Sequence, residues 1–265
     1  MTDARPIAIF DSGIGGLTVL AALQRRLPGE RFVYLGDTAR LPYGTKSAET
    51  VVRYAVRAAG FLAGHDAKLL VVACNTVSAS ALPALEEAME VPVIGVVAPG
   101  ARTALAATRG RVGVIGTEST VASGAYERAL RALRPDVEVM ARACPLFVPL
   151  AEEGWWDHPV TREVAALYLE PFTGGRVDTL ILGCTHYPLL RPAIAAALGD
   201  GVRLVDSAEA VAAEVEALVA HRDLAGKGGG GVRLLVTDAA ARIDRIAGLI
   251  LPGTAVHLEL VDLPD

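Results

Sequence analysis

Short apolar runs alternate with amphipathic stretches from one end of this chain to the other. The runs lie at 7–10, 32–35, 69–73, 93–96, 112–115, 137–140, 179–182, 203–205 and 232–236. The amphipathic stretches lie near 15–27, 46–63, 77–89, 100–108, 120–133, 160–170, 188–197, 207–220 and 239–250. Apolar runs this continuous are strands covered on both faces, and strands separated by helix-length stretches are joined by right-handed crossovers. The pattern predicts an α/β chain with mainly parallel sheets. Its 265 residues suffice for one large or two medium domains. Aromatic residues make up only 5% of the chain, which weighs against an all-β sandwich.

A weak internal repeat divides the chain. The strand Ile7-Ala8-Ile9-Phe10 ends in Asp11-Ser12 and is followed some sixty residues later by a strand ending at Cys74. The strand Val112-Gly113-Val114-Ile115 ends in Gly116-Thr117 and is followed, after a similar interval, by one ending at Cys184. The repeat predicts two similar α/β domains facing each other across a cleft. Residues 1–97 form the first, with 208–265 returning to it, and 98–207 form the second. The run Gly226-Lys227-Gly228-Gly229-Gly230-Gly231 reads as a flexible loop without function. The aperiodic segment between Pro145 and Pro159 reads as a loop lining or covering a site.

The two cysteine junctions carry the chemistry. Each thiol ends a buried strand and meets a helix-starting turn, Asn75-Thr76 or Thr185-His186, which places it in the crevice where α/β proteins bind ligands. Helix N-termini there are expected to lower the thiol pKa, with Asp11 or His186 accepting or relaying a proton. Cys144, before Pro145, reads as structural, and His65, His158, His221 and His257 as surface or packing residues. The loop Asp11-Ser12-Gly13-Ile14-Gly15-Gly16 suits close approach of backbone N–H groups to an anion. It departs from the GxGxxG dinucleotide fingerprint, although Asp37 after the second strand leaves nucleotide binding open. Pro42-Tyr43-Gly44 is a turn that presents N–H groups and a phenol on the same edge.

Composition excludes several classes. The formal net charge is −5 and no Lys/Arg run is present, so nucleic acid is not an expected partner. No apolar stretch reaches the roughly 18 residues of a membrane span. The first six residues lead straight into a strand without a signal-peptide core, so a cytoplasmic location is expected. Three cysteines without CxxC spacing predict free thiols and no metal site.

Four motifs, in order, resemble the glutamate racemase family: Asp11-Ser12-Gly13-Ile14-Gly15-Gly16-Leu17-Thr18-Val19, Pro42-Tyr43-Gly44, Ala73-Cys74-Asn75-Thr76 and Gly183-Cys184-Thr185-His186-Tyr187-Pro188-Leu189. The resemblance implies two pseudo-symmetric α/β domains, a homodimer and a cofactor-independent racemisation of L- and D-glutamate that supplies D-glutamate for peptidoglycan. By position, Cys74 and Cys184 resemble the catalytic cysteines, with Asp11 assisting the first and His186 the second. Asp37 and Glu153 resemble further acidic residues near the site. Asp11, Ser12, Tyr43, Gly44, Asn75, Thr76, Thr185 and His186 resemble substrate-binding residues, and Thr117 and Thr120 resemble residues that hold a substrate carboxylate. The resemblance calls for no cofactor, no pyridoxal lysine and no metal.

Proton-transfer chemistry agrees with this. Inverting a stereocentre takes an acid and a base on opposite faces of one carbon, and two like residues in mirrored half-sites serve both directions. An aspartate racemase is the nearest rival, and His186-Tyr187-Pro188 favours glutamate. A non-catalytic amino-acid-binding protein is the rival from another class, and the presence of both cysteines weighs against it.

Overall fold

The computed structural model describes residues 3–226, 230–238, 240–254 and 256–264. The first half of the chain runs β1 (Ile7–Asp11), α1 (Leu17–Arg26), β2 (Arg31–Gly36), α2 (Ala48–Ala63), β3 (Leu69–Val72), α3 (Asn75–Ser80), α4 (Leu82–Ala88) and β4 (Val93–Gly95). It continues through α5 (Val97–Ala107), β5 (Arg111–Gly116), α6 (Glu118–Ala122), α7 (Ala125–Leu133), β6 (Glu138–Ala143), α8 (Phe147–Glu152), α9 (Pro159–Leu169), β7 (Thr179–Gly183), α10 (Arg191–Leu198) and β8 (Arg203–Asp206). The last elements are α11 (Ser207–His221), β9 (Gly231–Val236), α12 (Ala240–Ile250) and β10 (Val256–Leu260).

The strands form two separate sheets, one ordered β10-β9-β2-β1-β3-β4 and the other β6-β5-β7-β8. Every pairing in both is parallel. Alternation along each strand supplies two cores per sheet. In β1, Ile7 and Ile9 pack with Leu17 and Leu20 of α1 and Val211 and Val215 of α11, whereas Ala8 and Phe10 pack with Val51, Ala55 and Leu62 of α2. In the second sheet, Val112, Val114 and Ile181 face Ala101 and Leu130, while Ile115, Leu180 and Leu182 face Phe147, Leu169 and Ile194. Each such fully buried Val, Leu, Ile or Phe side chain contributes about 1.5–3 kcal/mol.

Because all strands are parallel, their carboxyl ends share one edge of each sheet. Asp11 ends β1, Asp37 follows β2 and Cys74 follows β3. Thr117 follows β5 and Cys184 follows β7. In each sheet these lie where the strand order reverses direction, the usual ligand position of open α/β sheets.

The structure corrects the sequence reading in four places. The helix expected over 77–89 is two helices, because Pro83 is tolerated only in a first turn and the chain restarts at Leu82 after Ala81. The helix expected over 120–133 is broken by Gly124, whose φ of +63° only glycine adopts readily. The supposed loop after Pro145 contains α8, with Phe147 and Ala151 buried one turn apart. A tenth strand, β10, adds an edge to the first sheet. Part of the glycine-rich run, residues 227–229, lies outside the described residues.

Candidate active site

The first thiol is held by its own turn. Cys74 caps the start of α3, and its Sγ donates to Ser12 Oγ at 3.4 Å. Asp11 is fully buried beside it, with Oδ2 accepting the Gly13 N–H at 2.9 Å. Tyr34 fixes this loop from below by donating to the Gly13 carbonyl at 2.8 Å. The second thiol has a cationic partner. Cys184 Sγ stands 3.6 Å from Nδ1 of His186, and Nε2 of the same ring stands 3.2 Å from Glu152 Oε1.

Burial sets the protonation landscape. It pushes the Cys74 thiol up to about 12, reinforced by the nearby Asp11 and opposed by Ser12 and the Val77 N–H. The expected lowering by the helix N-terminus is therefore overturned at Cys74: desolvation outweighs the dipole of a helix only six residues long. Burial also raises Asp11, partly offset by the charge of His186 and the N–H groups of Gly13 and Gly16. At His186 burial disfavours the cation, but Cys184 and Glu152 outweigh it and lift the imidazole to about 10. His186 is thus a cation at neutral pH.

The two halves meet closely here. A Cβ on Gly15 would stand 2.7 Å from His186 Nδ1, and one on Gly44 would stand 2.7 Å from Thr117 Cβ, so both positions exclude a side chain. Thr18 Oγ1 donates to the Thr185 carbonyl at 3.1 Å. Thr76 of the first half and Thr117 and Thr120 of the second join their hydroxyls in a triangle with sides of 3.0, 3.3 and 3.0 Å.

A cavity of about 150 Å³ opens between the halves. Both cysteines line it, together with Ser12, Tyr43, Gly44, Asn75, Thr76, Thr117, Thr185 and His186. Four sequence-expected residues are not on its wall. Asp11 is fully buried and accepts the Gly13 N–H, and Thr120 is buried against the hydroxyls of Thr76 and Thr117. Asp37 is fully buried and serves the scaffold: it accepts from Tyr43 OH at 2.5 Å and from Thr237 Oγ1 at 3.0 Å, and pairs with Arg40 at 2.9 Å. Glu153 is exposed at the end of α8, and its neighbour Glu152 is the residue that reaches His186. Leu41, Pro42, Val148 and Pro149 add apolar lining: the first two adjoin the Tyr43-Gly44 turn expected on this edge, and the last two lie in the segment after Pro145 expected to line the site. Sequence reasoning missed Tyr126, whose hydroxyl donates to Asn75 Oδ1 at 2.6 Å.

Two thiols, one from each sheet, thus share a small cavity lined with hydroxyl and amide donors, which is the equipment of proton exchange at a carbon acid. Residues 17–215 match the Asp/Glu/Hydantoin racemase family. The chain is 52% identical to the glutamate racemase of Geobacter metallireducens, across 94% of this chain and 93% of that protein. It superposes on glutamate racemase RacE1 of Bacillus anthracis with a TM-score of 0.94 at 40% identity, covering 98% of both chains. It superposes on the Francisella tularensis glutamate racemase, solved in complex with D-glutamate, with a TM-score of 0.92 at 38% identity and the same coverage. The chain belongs to the Asp/Glu/hydantoin racemase family and, within it, to the glutamate racemases. Among the described residues, no helix is long and apolar enough to cross a membrane.

Proposed function

We propose that this protein interconverts L- and D-glutamate by a two-base transfer at Cα, using Cys74 and Cys184 and no cofactor. The observation that carries this reading is the opening of both thiols, from the carboxyl ends of β3 and β7, onto one cavity. Its 150 Å³ corresponds to about ten water-sized volumes, the scale of a single amino acid.

In the direction from D-glutamate, the Cys74 thiolate takes the Cα proton and becomes a thiol. The carbanion then takes a proton from the Cys184 thiol, leaving the Cys184 thiolate. From L-glutamate the roles reverse. At each stage one sulfur is charged while the other carries the proton. The imidazolium of His186 is the charge partner an anionic sulfur at position 184 requires, and Glu152 holds that ring. On the other side the Ser12 hydroxyl and the Val77 N–H favour the charged form of Cys74, while the neighbouring Asp11 opposes it. The Cα proton is very weakly acidic, so fixed donors around the substrate carboxylates carry much of the stabilisation. Asn75, Thr76, Thr117, Thr185 and the Tyr43-Gly44 turn are placed for this.

The division into residues 1–97 with 208–265, and 98–207, follows the sheet membership of the strands and makes the cavity an interdomain cleft. A cytoplasmic homodimer supplying D-glutamate for peptidoglycan is the corresponding biological role.

Racemisation of L-glutamate in deuterium oxide, without added cofactor, tests the mechanism. Wild type should place deuterium at Cα of the D-product, and Cys74→Ala and Cys184→Ala should each lose racemisation while remaining folded. Turnover of aspartate but not glutamate would move the substrate, and racemisation surviving either substitution would end the two-thiol reading.

A further inference from the structure

Asn75 carries a buried side-chain amide with one end fixed and the other free. It is only 2% exposed and lines the cavity between the halves. Its Oδ1 accepts from Tyr126 at 2.6 Å, and its Nδ2 is buried without a hydrogen-bond partner among the described residues. An unpaired buried N–H donor costs about 1–3 kcal/mol, so a donor left in this state on a residue that lines the cavity is one that a ligand completes.

Tyr126 is equally specific in its placement. It lies in the first turn of α7, in the second half of the chain, and is 3% exposed in the core formed by Val97, Ala101, Val112, Val114 and Ile181. One ring edge lies against the strand that delivers the second cysteine: a Cβ on Gly183 would stand 3.1 Å from Tyr126 Cε2. The hydroxyl lies where the chain crosses between its two sheets. A Cβ on Gly100, near the start of the outward crossing, would stand 3.5 Å from that oxygen and 3.8 Å from Cβ of Ser207, where the return crossing begins. From this position the phenol reaches across to Asn75, immediately after the first cysteine.

We propose that Tyr126 is a positioning residue for the racemisation: by occupying Oδ1 of Asn75 it turns the Nδ2 hydrogens of that amide into the cavity as donors to a substrate carboxylate. This rests on the glutamate reading of the cavity. A carboxamide has two orientations that differ only in which end is donor, and an O–H donor at one end selects between them. Without the Tyr126 proton, the carbonyl end is free to face the cavity and repel the carboxylate. Burial raises the phenol's pKa, which keeps it a donor throughout the neutral range. Because the donor comes from one half and the amide from the other, the aim of Asn75 also depends on how the halves are seated.

The test is a double-mutant cycle on the full-length protein, with steady-state kinetics for both enantiomers. Tyr126→Phe keeps the ring and removes only the hydroxyl. It should raise KM for L- and D-glutamate by about tenfold, the loss of one well-made hydrogen bond to a charged group, with kcat changed by less than about threefold. Asn75→Ala should raise KM by at least as much. In the Asn75→Ala background, Tyr126→Phe should change KM by less than about twofold, because the group it positions is gone. An unchanged KM in Tyr126→Phe, with Asn75→Ala impaired, overturns the positioning role alone. An equal KM rise in both backgrounds also overturns it, since that is the mark of general loosening. An unaltered KM in Asn75→Ala overturns both this inference and the role of Asn75 as a substrate donor, and leaves the deuterium test of the cysteines standing.

Discussion

Glu152 and His186 form a buried pair, Oε1 to Nε2 at 3.2 Å, with side chains 14% and 6% exposed, while the far nitrogen of the same ring faces Cys184 at 3.6 Å. The imidazole thus stands between the carboxylate and the sulfur. Replacing Glu152 by Gln removes the charge and keeps the shape. The free energies of L- and D-glutamate in water are equal, so kcat/KM must fall by the same factor in both directions. That factor should be about 100, the low end of what a positioned acid–base group supplies. The asymmetry belongs to the isotope effect. Removal of the Cα hydrogen by Cys184 becomes the harder step, so the primary deuterium effect should grow for L-glutamate and not for D-glutamate. Equal growth for both enantiomers would place Glu152 on both half-reactions and break the proposed assignment.

The same pair predicts a pH dependence of stability. His186 is lifted to about 10 in the folded protein, with burial outweighed by Cys184 and Glu152, against about 6.5 in an unfolded chain. A raised pKa means the folded state holds the proton more tightly. The stabilisation is complete below about pH 6.5 and is lost as pH rises through about 10. The Tm difference between wild type and His186→Asn should accordingly be largest near pH 6 and shrink toward pH 10. A difference that stays constant or widens over that range would show that His186 is not held as a cation.

Gly15 tests the contact between the halves separately from the chemistry. A methyl group there would overlap the Thr185 hydroxyl and stand 2.7 Å from His186 Nδ1. Gly15→Ala must displace His186 or part the halves, and neither is a local adjustment. A misplacement of about 1 Å at a reacting centre costs on the order of 100-fold, so kcat/KM should fall by about that much. Circular dichroism should stay native, because Gly15 lies outside every helix and strand. Near-native kcat/KM would mean that turnover does not need this contact.

The strands and the cysteines were legible because both follow short-range rules. A strand covered on both faces is a run of apolar residues, and all nine expected runs are strands, with Cys74 and Cys184 following two of them. What was illegible depends on a helix phase or on distant partners. Glu152 and Glu153 are adjacent, and only the existence of α8, with Phe147 and Ala151 buried, decides which of them faces His186. That helix is six residues long and contains Pro149, too short and too irregular to leave a period. Asp37 follows a site strand as expected, yet Tyr43, Arg40 and Thr237 occupy its oxygens. The Tyr126–Asn75 bond spans 51 positions, and nothing in the spacing of polar residues marks it.

Lys68 and Glu30 form a second buried pair at the opposite ends of the strands from the cavity. Lys68 Nζ donates to Glu30 Oε2 at 2.6 Å, to the Leu224 carbonyl at 2.7 Å and to the Asp3 carbonyl at 3.1 Å, while Glu30 Oε1 accepts the Gly226 N–H at 2.7 Å. The pair thereby ties the N-terminal segment, the turn before β2, the start of β3 and the segment after α11 into one cluster. Lys68→Met strands the Glu30 carboxylate, and Glu30→Gln strands the Lys68 ammonium. Breaking a buried pair from one side costs about 3–5 kcal/mol, which urea unfolding would register as a lower midpoint at unchanged slope. The combined Lys68→Met and Glu30→Leu variant removes both charges and should be more stable than either single variant of the pair. Because Lys68 precedes β3 and Cys74 follows it, kcat/KM well below the unfolding midpoint should remain that of wild type. A double variant less stable than both singles would show that the charges contribute net stability here, and a lost kcat/KM in folded protein would show that this cluster also sets the geometry at the cavity.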